Sequence, residues 1–136
     1  MSLQWGHGGH MRRIMVIPAL LLAVLTPIGA PAAAVAGGGG DAQGGCSRSA
    51  DWRLKTDLHN GRIEVEGRVD SDRNGQRWYW RILHNGDVSF RGSKVTDNGG
   101  EIRVERSVVN VSGPDRIGWR ATNRRSGETC SGNVSV

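Results

Sequence analysis

Apolar and polar residues alternate along most of this chain, in short runs separated by turn sequences. In residues 52–58, 63–69 and 77–82, apolar or uncharged residues take every second position, and mostly charged residues lie between them. A period of two places successive side chains on opposite faces of an extended strand. The pattern therefore predicts β-strands with one apolar face and one charged face.

Shorter or less regular runs raise the number of predicted strands to seven. They cover residues 88–90, 102–108, 117–122 and 130–136. Clusters of Gly, Asn, Asp and Pro separate the runs, and no segment beyond residue 36 has a helical period. This pattern predicts an all-β fold, a seven-stranded antiparallel two-sheet sandwich of the immunoglobulin or fibronectin III type.

The amino-terminal part of the chain has a different composition. Arg12 and Arg13 precede an apolar run (IMVIPALLLAVL), and small residues follow as far as Ala36. This is the order of a secretory signal peptide, and the run is too short to span a membrane as a helix. We predict that residues 1–36 are an extension and signal peptide, cleaved after Ala36, with Met11 as a plausible true start.

The mature chain predicted from this cleavage is secreted and has no membrane span. Residues 37–45 are Gly-rich and predict a flexible leader, and residues 46–136 form the predicted sandwich domain. Cys46 and Cys130 are the two cysteines of the sequence. An even number of cysteines in an oxidising compartment predicts one disulfide between them.

Charge limits the classes of partner. The mature chain has 16 Arg and Lys residues against 13 Asp and Glu residues. This small surplus does not predict nucleic-acid binding, which usually needs a concentrated basic face. We expect the outward arginines, among them Arg62, Arg68, Arg103 and Arg120, to form a solvated face that pairs with glutamates across strands. A ligand-binding patch is the alternative.

The stretch VDSDRNGQRWYW looks most like a chemical site. Asp70, Asp72 and Asn74 occupy the first three ligand positions of a helix–loop–helix calcium loop, and Gly75 supplies its bend. The twelfth position requires a bidentate acid, and Arg81 occupies it. Asx-rich turns need no metal, so we predict a structural hairpin between the second and third strands, with a weak calcium site as the alternative.

The aromatic triplet that follows divides between the two faces of its strand. Alternation places Trp78 and Trp80 in the core and Tyr79 outside, between Arg77 and Arg81. An exposed tyrosine between two arginines could stack on a sugar or an aromatic ligand. These three outward residues are therefore the candidate ligand contacts.

Catalytic motifs are missing from the mature sequence. Its histidines, His59 and His84, each precede Asn-Gly, which is typical of strand ends and not of a metal ligand or general base. We therefore predict a protein that is not an enzyme and needs no cofactor: a monomeric binding module for an unknown extracellular or cell-envelope partner. A structural cell-envelope protein is one alternative. A carrier of a small ligand near Tyr79 and the turn at 84–88 is the other.

Three stretches together carry a resemblance to known proteins. The sequences CSRSADWRL, GRIEVEGRVDSDRNGQRWYWRILHNG and DRIGWRATNRRSGETCSG follow a signal peptide and a Gly-rich leader. In this combination they resemble small exported proteins of unknown function from high-GC Gram-positive bacteria, over nearly all of the mature chain. The resemblance implies export, a β-sandwich and a Cys46–Cys130 bridge. It implies no catalytic or binding residue, because none is established for that group.

Overall fold

A computed structural model of the protein describes residues 38–136, which form eight β-strands and no helix. The strands are β1 (Asp41–Gly45), β2 (Asp51–His59), β3 (Arg62–Asp70), β4 (Arg77–His84), β5 (Asp87–Val95), β6 (Glu101–Val109), β7 (Arg116–Asn123) and β8 (Glu128–Ser135). Within this part of the chain, no helix is long and apolar enough to cross a membrane. The predicted signal peptide, residues 1–36, lies outside the described residues.

The strands form two antiparallel sheets of four. Sheet A has the order β1-β2-β3-β6 and sheet B the order β5-β4-β7-β8. The connections from β3 to β4, from β5 to β6 and from β6 to β7 cross between the sheets, and the other four stay within a sheet. Apolar residues from the inner faces of both sheets form one buried core, so the arrangement is a β-sandwich.

The prediction of seven strands is wrong by one. Asp41–Gly45 forms β1 within the stretch predicted to be a flexible leader, and it pairs along its whole length with β2. Gly44 packs so closely on the indole of Trp52 that a Cβ there would lie 3.2 Å from Nε1. Composition predicts flexibility for a Gly-rich stretch, but backbone hydrogen bonds to the edge of sheet A give this one a defined place.

Tryptophan side chains fill the core. Trp78 and Trp119 are fully buried and Trp80 is 5% exposed, which confirms that Trp78 and Trp80 point inward. The rings of Trp80 and Trp119 stack with their centroids 6.4 Å apart. Gly67 of β3 faces Trp119, and a Cβ there would lie 2.3 Å from the ring. The absence of a side chain at Gly67 therefore sets the close approach of the two sheets.

The predicted disulfide is confirmed, and it links the two sheets. Cys46 follows β1 in sheet A, and Cys130 lies on β8 in sheet B. The Asn-Gly pairs at 60–61 and 85–86 have positive φ at both residues, and they turn the β2–β3 and β4–β5 hairpins. Two-residue turns of this kind match the twist of antiparallel strands.

Candidate functional site

The Asp-rich stretch from Asp70 to Gly75 is a crossover and not the predicted hairpin, because it leads from β3 in sheet A to β4 in sheet B. The Asp72 N–H donates to Asp70 Oδ1 at 3.1 Å, and the Asn74 amide donates to Asn98 at 3.1 Å. Two of the three side chains proposed as calcium ligands, those of Asp70 and Asn74, thus hold the loop in shape. Within residues 38–136, no three His, Cys, Asp or Glu side chains lie close enough together to hold a metal ion.

The outer face of sheet B carries five arginines without an acid among them. We call this surface the arginine face; its members are Arg77, Tyr79, Arg81, Arg91, Ser93, Arg116, Arg120 and Thr122. Among the described residues, none of these arginines forms an ion pair with an acidic side chain. The face therefore keeps its positive charge.

The two acids on the strands of sheet B lie away from the arginine face. Asp87 is next to the β4–β5 turn, where it pairs with His84. Glu128 is buried, and its carboxylate accepts a hydrogen bond from the Ala50 N–H at 2.8 Å. Neither carboxylate neutralises an arginine of the face.

Three of the arginines stand directly opposite one another on adjacent strands. Arg91 of β5 is the register partner of Arg81 of β4, and Arg81 is also the partner of Arg120 of β7. Like charges in directly opposed positions destabilise a sheet. The next row of residues contains Tyr79 flanked by two hydroxyl side chains, so it supplies no compensating carboxylate.

Sheet A carries a row of the same geometry that is compensated. Arg53, Arg68 and Arg103 stand opposite one another on β2, β3 and β6. Acids flank this row on both sides, namely Asp51, Asp70 and Glu101 on one side and Glu66 and Glu105 on the other. Arg68 Nε lies 2.6 Å from Glu66, and Arg103 lies 3.8 Å from the same carboxylate. The expectation of outward arginines paired with glutamates holds for Arg68 and Arg103. It does not hold for Arg120, or for Arg62, which donates to the hydroxyl and the carbonyl of Ser107.

One face of the Tyr79 ring is covered by a neighbouring arginine. Tyr79 points outward and is half-buried, but the guanidinium of Arg124 lies 3.8 Å from the ring centroid. A flat guanidinium on an aromatic face is held by cation–π attraction and stacking. Tyr79 therefore positions the charge of Arg124 beside the arginine face. A groove of about 630 Å³ runs between this pair and the side chains of Arg81 and Arg91.

A second polar cluster joins the end of β4 to the β6–β7 crossover. His84 Nε2 lies 2.5 Å from Oδ1 of the fully buried Asp115, and the Asn85 amide and the Val111 N–H also donate to that carboxylate. Burial alone would raise the pKa of Asp115. The hydrogen bonds and the charge of His84 outweigh burial and hold that pKa below its ordinary value of 3.8.

This second cluster was not predicted from the sequence. The sequence places His84 at a strand end, and it is the last residue of β4, but its partner Asp115 lies 31 residues further along the chain. No local spacing connects the two residues. The contacts fasten one connection between the sheets to a hairpin, so the cluster serves the fold.

The chain matches no family model, no curated protein and no solved structure. The resemblance to small exported proteins of high-GC Gram-positive bacteria therefore stays a prediction. A function has to be inferred from the charge and geometry of the chain's own residues.

Proposed function

We propose that this chain is an exported, non-enzymatic binding module and that its arginine face binds an anionic ligand. The supporting observation is the difference between two arginine rows of the same geometry. Carboxylates flank the row on sheet A, whereas none lies beside the row on sheet B. Positive charges on adjacent strands destabilise a sheet when no carboxylate lies nearby. Such unfavourable arrangements are typical of functional sites, where binding requires them. A bound anion supplies the missing negative charge.

Guanidinium groups are well suited to this role. An arginine donates two parallel N–H bonds to a carboxylate, phosphate or sulfate, and it stays charged at any physiological pH. Arg81, Arg91 and Arg120 are attached to three hydrogen-bonded strands, so the scaffold fixes their spacing before a ligand arrives. Binding then costs little ordering of the backbone.

Export and fold type belong to the same proposal. A disulfide between Cys46 and Cys130 supports export, because such bonds persist mainly in oxidising compartments. With β1 set aside, the three strands β2-β3-β6 face the four strands β5-β4-β7-β8, and two tryptophans of β4 are buried. A buried tryptophan on the third strand supports an immunoglobulin or fibronectin III-like class. Mass spectrometry of secreted protein tests export, with a mature chain beginning at Gly37 as the expected result.

Two matched triple variants test the binding proposal. The sheet B variant combines Arg81→Gln, Arg91→Gln and Arg120→Gln, and the sheet A variant combines Arg53→Gln, Arg68→Gln and Arg103→Gln. Each removes three positive charges from one row, so both have the same net charge. On immobilised polyphosphate, we expect the sheet B variant to elute at much lower salt than the native protein, and the sheet A variant to be retained.

Melting curves and circular dichroism establish that both variants are folded before they are compared. Equal loss of retention in the two variants would mean that net charge alone governs binding, and this would refute the proposal. Unchanged retention of the sheet B variant would also refute it.

A further inference from the structure

We infer that the anionic ligand is an acidic polysaccharide that carries a carboxylate on each sugar unit and lies across the strands of sheet B. This inference rests on the proposed function and names the class of ligand for the same site. The supporting observations are the spacing of the charges, the hydroxyl groups beside them and the position of Arg124 over one face of the Tyr79 ring.

The spacing of the arginines fits a polymer with closely repeated charges. Arg91, Arg81 and Arg120 are direct partners on neighbouring strands, so consecutive side chains start about 5 Å apart. A hexose unit in an extended polysaccharide has about the length of one strand spacing. A polymer with a carboxylate on every unit can therefore present one anion to each of the three arginines.

A row of hydroxyl groups runs parallel to the arginine row. Tyr79 is the register partner of Ser93 and of Thr122, and Thr122 is the partner of Thr129 on β8. This row lies two residues along the strands from the arginines, a distance of about 7 Å. Hydroxyl side chains both donate and accept hydrogen bonds, as sugar hydroxyls require. The carboxylates would then lie over one row and the sugar hydroxyls over the other.

Other polyanions fit this surface less well. Single-stranded nucleic acids bind largely by stacking bases on exposed aromatic rings, and one face of the Tyr79 ring is covered by Arg124. Peripheral membrane binding usually adds apolar side chains that enter the lipid. On the arginine face, Val88 and Val95 are exposed apolar residues, but they lie near opposite ends of β5 and form no continuous apolar patch. The row directly beside the three arginines contains the hydroxyl side chains of Ser93 and Thr122. Charge and hydroxyl groups together favour a sugar polymer.

Binding of defined oligomers tests the inference. The probes are fluorescently labelled hexagalacturonate, galacturonate monomer, neutral maltohexaose and a six-phosphate polyphosphate, each titrated at one fixed ionic strength. We expect hexagalacturonate to bind about tenfold or more tightly than polyphosphate, with no measurable binding of maltohexaose or the monomer. Arg81→Gln should weaken hexagalacturonate binding about tenfold to a hundredfold, because it removes a charge-assisted contact at the centre of the row.

Thr122→Val separates a sugar ligand from other polyanions. Valine keeps the shape and strand propensity of threonine but removes the hydroxyl group. We expect it to weaken hexagalacturonate binding several-fold and to leave polyphosphate binding unchanged. Thr129→Val, one strand further along the same row, provides a second variant if Thr122→Val unfolds.

The outcomes distinguish this inference from the proposed function. If polyphosphate binds as tightly as hexagalacturonate, or if both hydroxyl variants leave hexagalacturonate binding unchanged, the ligand is not an acidic polysaccharide, although the arginine face still binds anions. If anionic lipid vesicles of phosphatidylglycerol bind more tightly than hexagalacturonate, a membrane surface replaces it. If no probe binds the native protein more tightly than the sheet B variant, the proposed function itself fails.

Discussion

The contact between Gly67 and Trp119 brings the two sheets close together at a single residue of β3. A Cβ at position 67 would lie 2.3 Å from the ring, and the fully buried Trp119 also stacks against Trp80. We predict that Gly67→Ala destabilises the fold by roughly 1–3 kcal/mol, because an overpacked core must move its neighbours. Urea denaturation measures this change.

Gly45→Ala is the matched control for Gly67→Ala. At Gly45 a Cβ would meet nothing closer than Asp51 Oδ1, at 3.9 Å. We expect its urea midpoint to stay close to that of the native protein. Equal midpoints for the two variants would contradict the packing account.

Asp115 gives a prediction about pH. Its pKa in the folded protein is lowered below 3.8, so the ionised carboxylate stabilises the fold above that pH, and the contribution is lost as the pH falls through the lowered pKa. Asp115→Asn should therefore reduce stability at pH 7, by roughly 1–3 kcal/mol, and have a smaller effect near pH 2. Thermal melting from pH 2 to pH 7 tests this, with the exposed Asp87→Asn as control. An equal effect at both ends of the range would rule out the linkage.

Several site residues could be predicted from the sequence, and others could not. Strand alternation is local, so the sequence alone predicts that Arg77, Tyr79 and Arg81 point outward. The sequence does not predict the contact of Arg124 with the Tyr79 ring. Arg124 lies in a turn 45 residues away, and the contact depends on the pairing of β4 with β7. The prediction that Tyr79 contacts a ligand directly remains untested.

At the scale of elements, β5 and β6 are edge strands of the two sheets on the same side of the sandwich. A charged side chain there protects the edge from pairing with another molecule. Arg106 of β6 takes an inward position between Val104 and Val108, yet it is exposed. Its guanidinium lies 5.1 Å from the Trp80 ring centroid and 5.8 Å from that of Phe90. An inward-pointing charge at a sheet edge discourages pairing with another molecule.

We predict that Arg106→Val produces concentration-dependent dimers or aggregates, because it replaces the edge charge with an apolar side chain next to Trp80. Light scattering after size exclusion measures the association. Arg103→Val, at an outward position of the same strand, should stay in the same state as the native protein. If Arg106→Val remained monomeric at every concentration tested, the edge-protection role would be wrong.

Strand periodicity located β2 to β8 but missed β1. The alternation of apolar and polar residues is visible in the sequence of a single strand, without knowledge of its neighbours. The runs at 52–58 and 63–69 could therefore be assigned directly. In contrast, β1 is ordered by pairing with β2, and its Gly-rich composition carries no strand signal. The prediction of a hairpin after Asp70 is wrong for a similar reason. The local sequence does not distinguish a hairpin from a crossover to the other sheet.

For the whole molecule, the Cys46–Cys130 bridge is the main covalent constraint. It spans 84 residues and joins sheet A to sheet B. We predict that the double variant Cys46→Ala/Cys130→Ala loses roughly 4–5 kcal/mol of unfolding free energy, because the unfolded chain regains its freedom. Reduced native protein should match this variant in urea denaturation. Two reactive thiols in the native protein would contradict the bridge.

Charge segregation is a property of the whole molecule that net charge conceals. The full chain has a formal charge of +5, which by itself suggests no binding face. The strands RWYWRILH and RIGWRATN contain no acid, so part of the signal was present in the sequence. The lack of acidic residues in these two strands produces a positive face only because β4 and β7 pair in one sheet, while the acidic strands form the other.

The central claim is that the arginine face binds an anionic ligand, and backbone amide chemical shifts test it most directly. The measurement is a ¹H–¹⁵N titration of the isotope-labelled protein with hexagalacturonate, followed by polyphosphate at the same ionic strength. We expect saturable shifts concentrated in β4, β5 and β7 around Arg81, Arg91 and Arg120, with sheet A unaffected. Shifts centred on Arg53, Arg68 and Arg103, or no saturable shifts with either polymer, would contradict it.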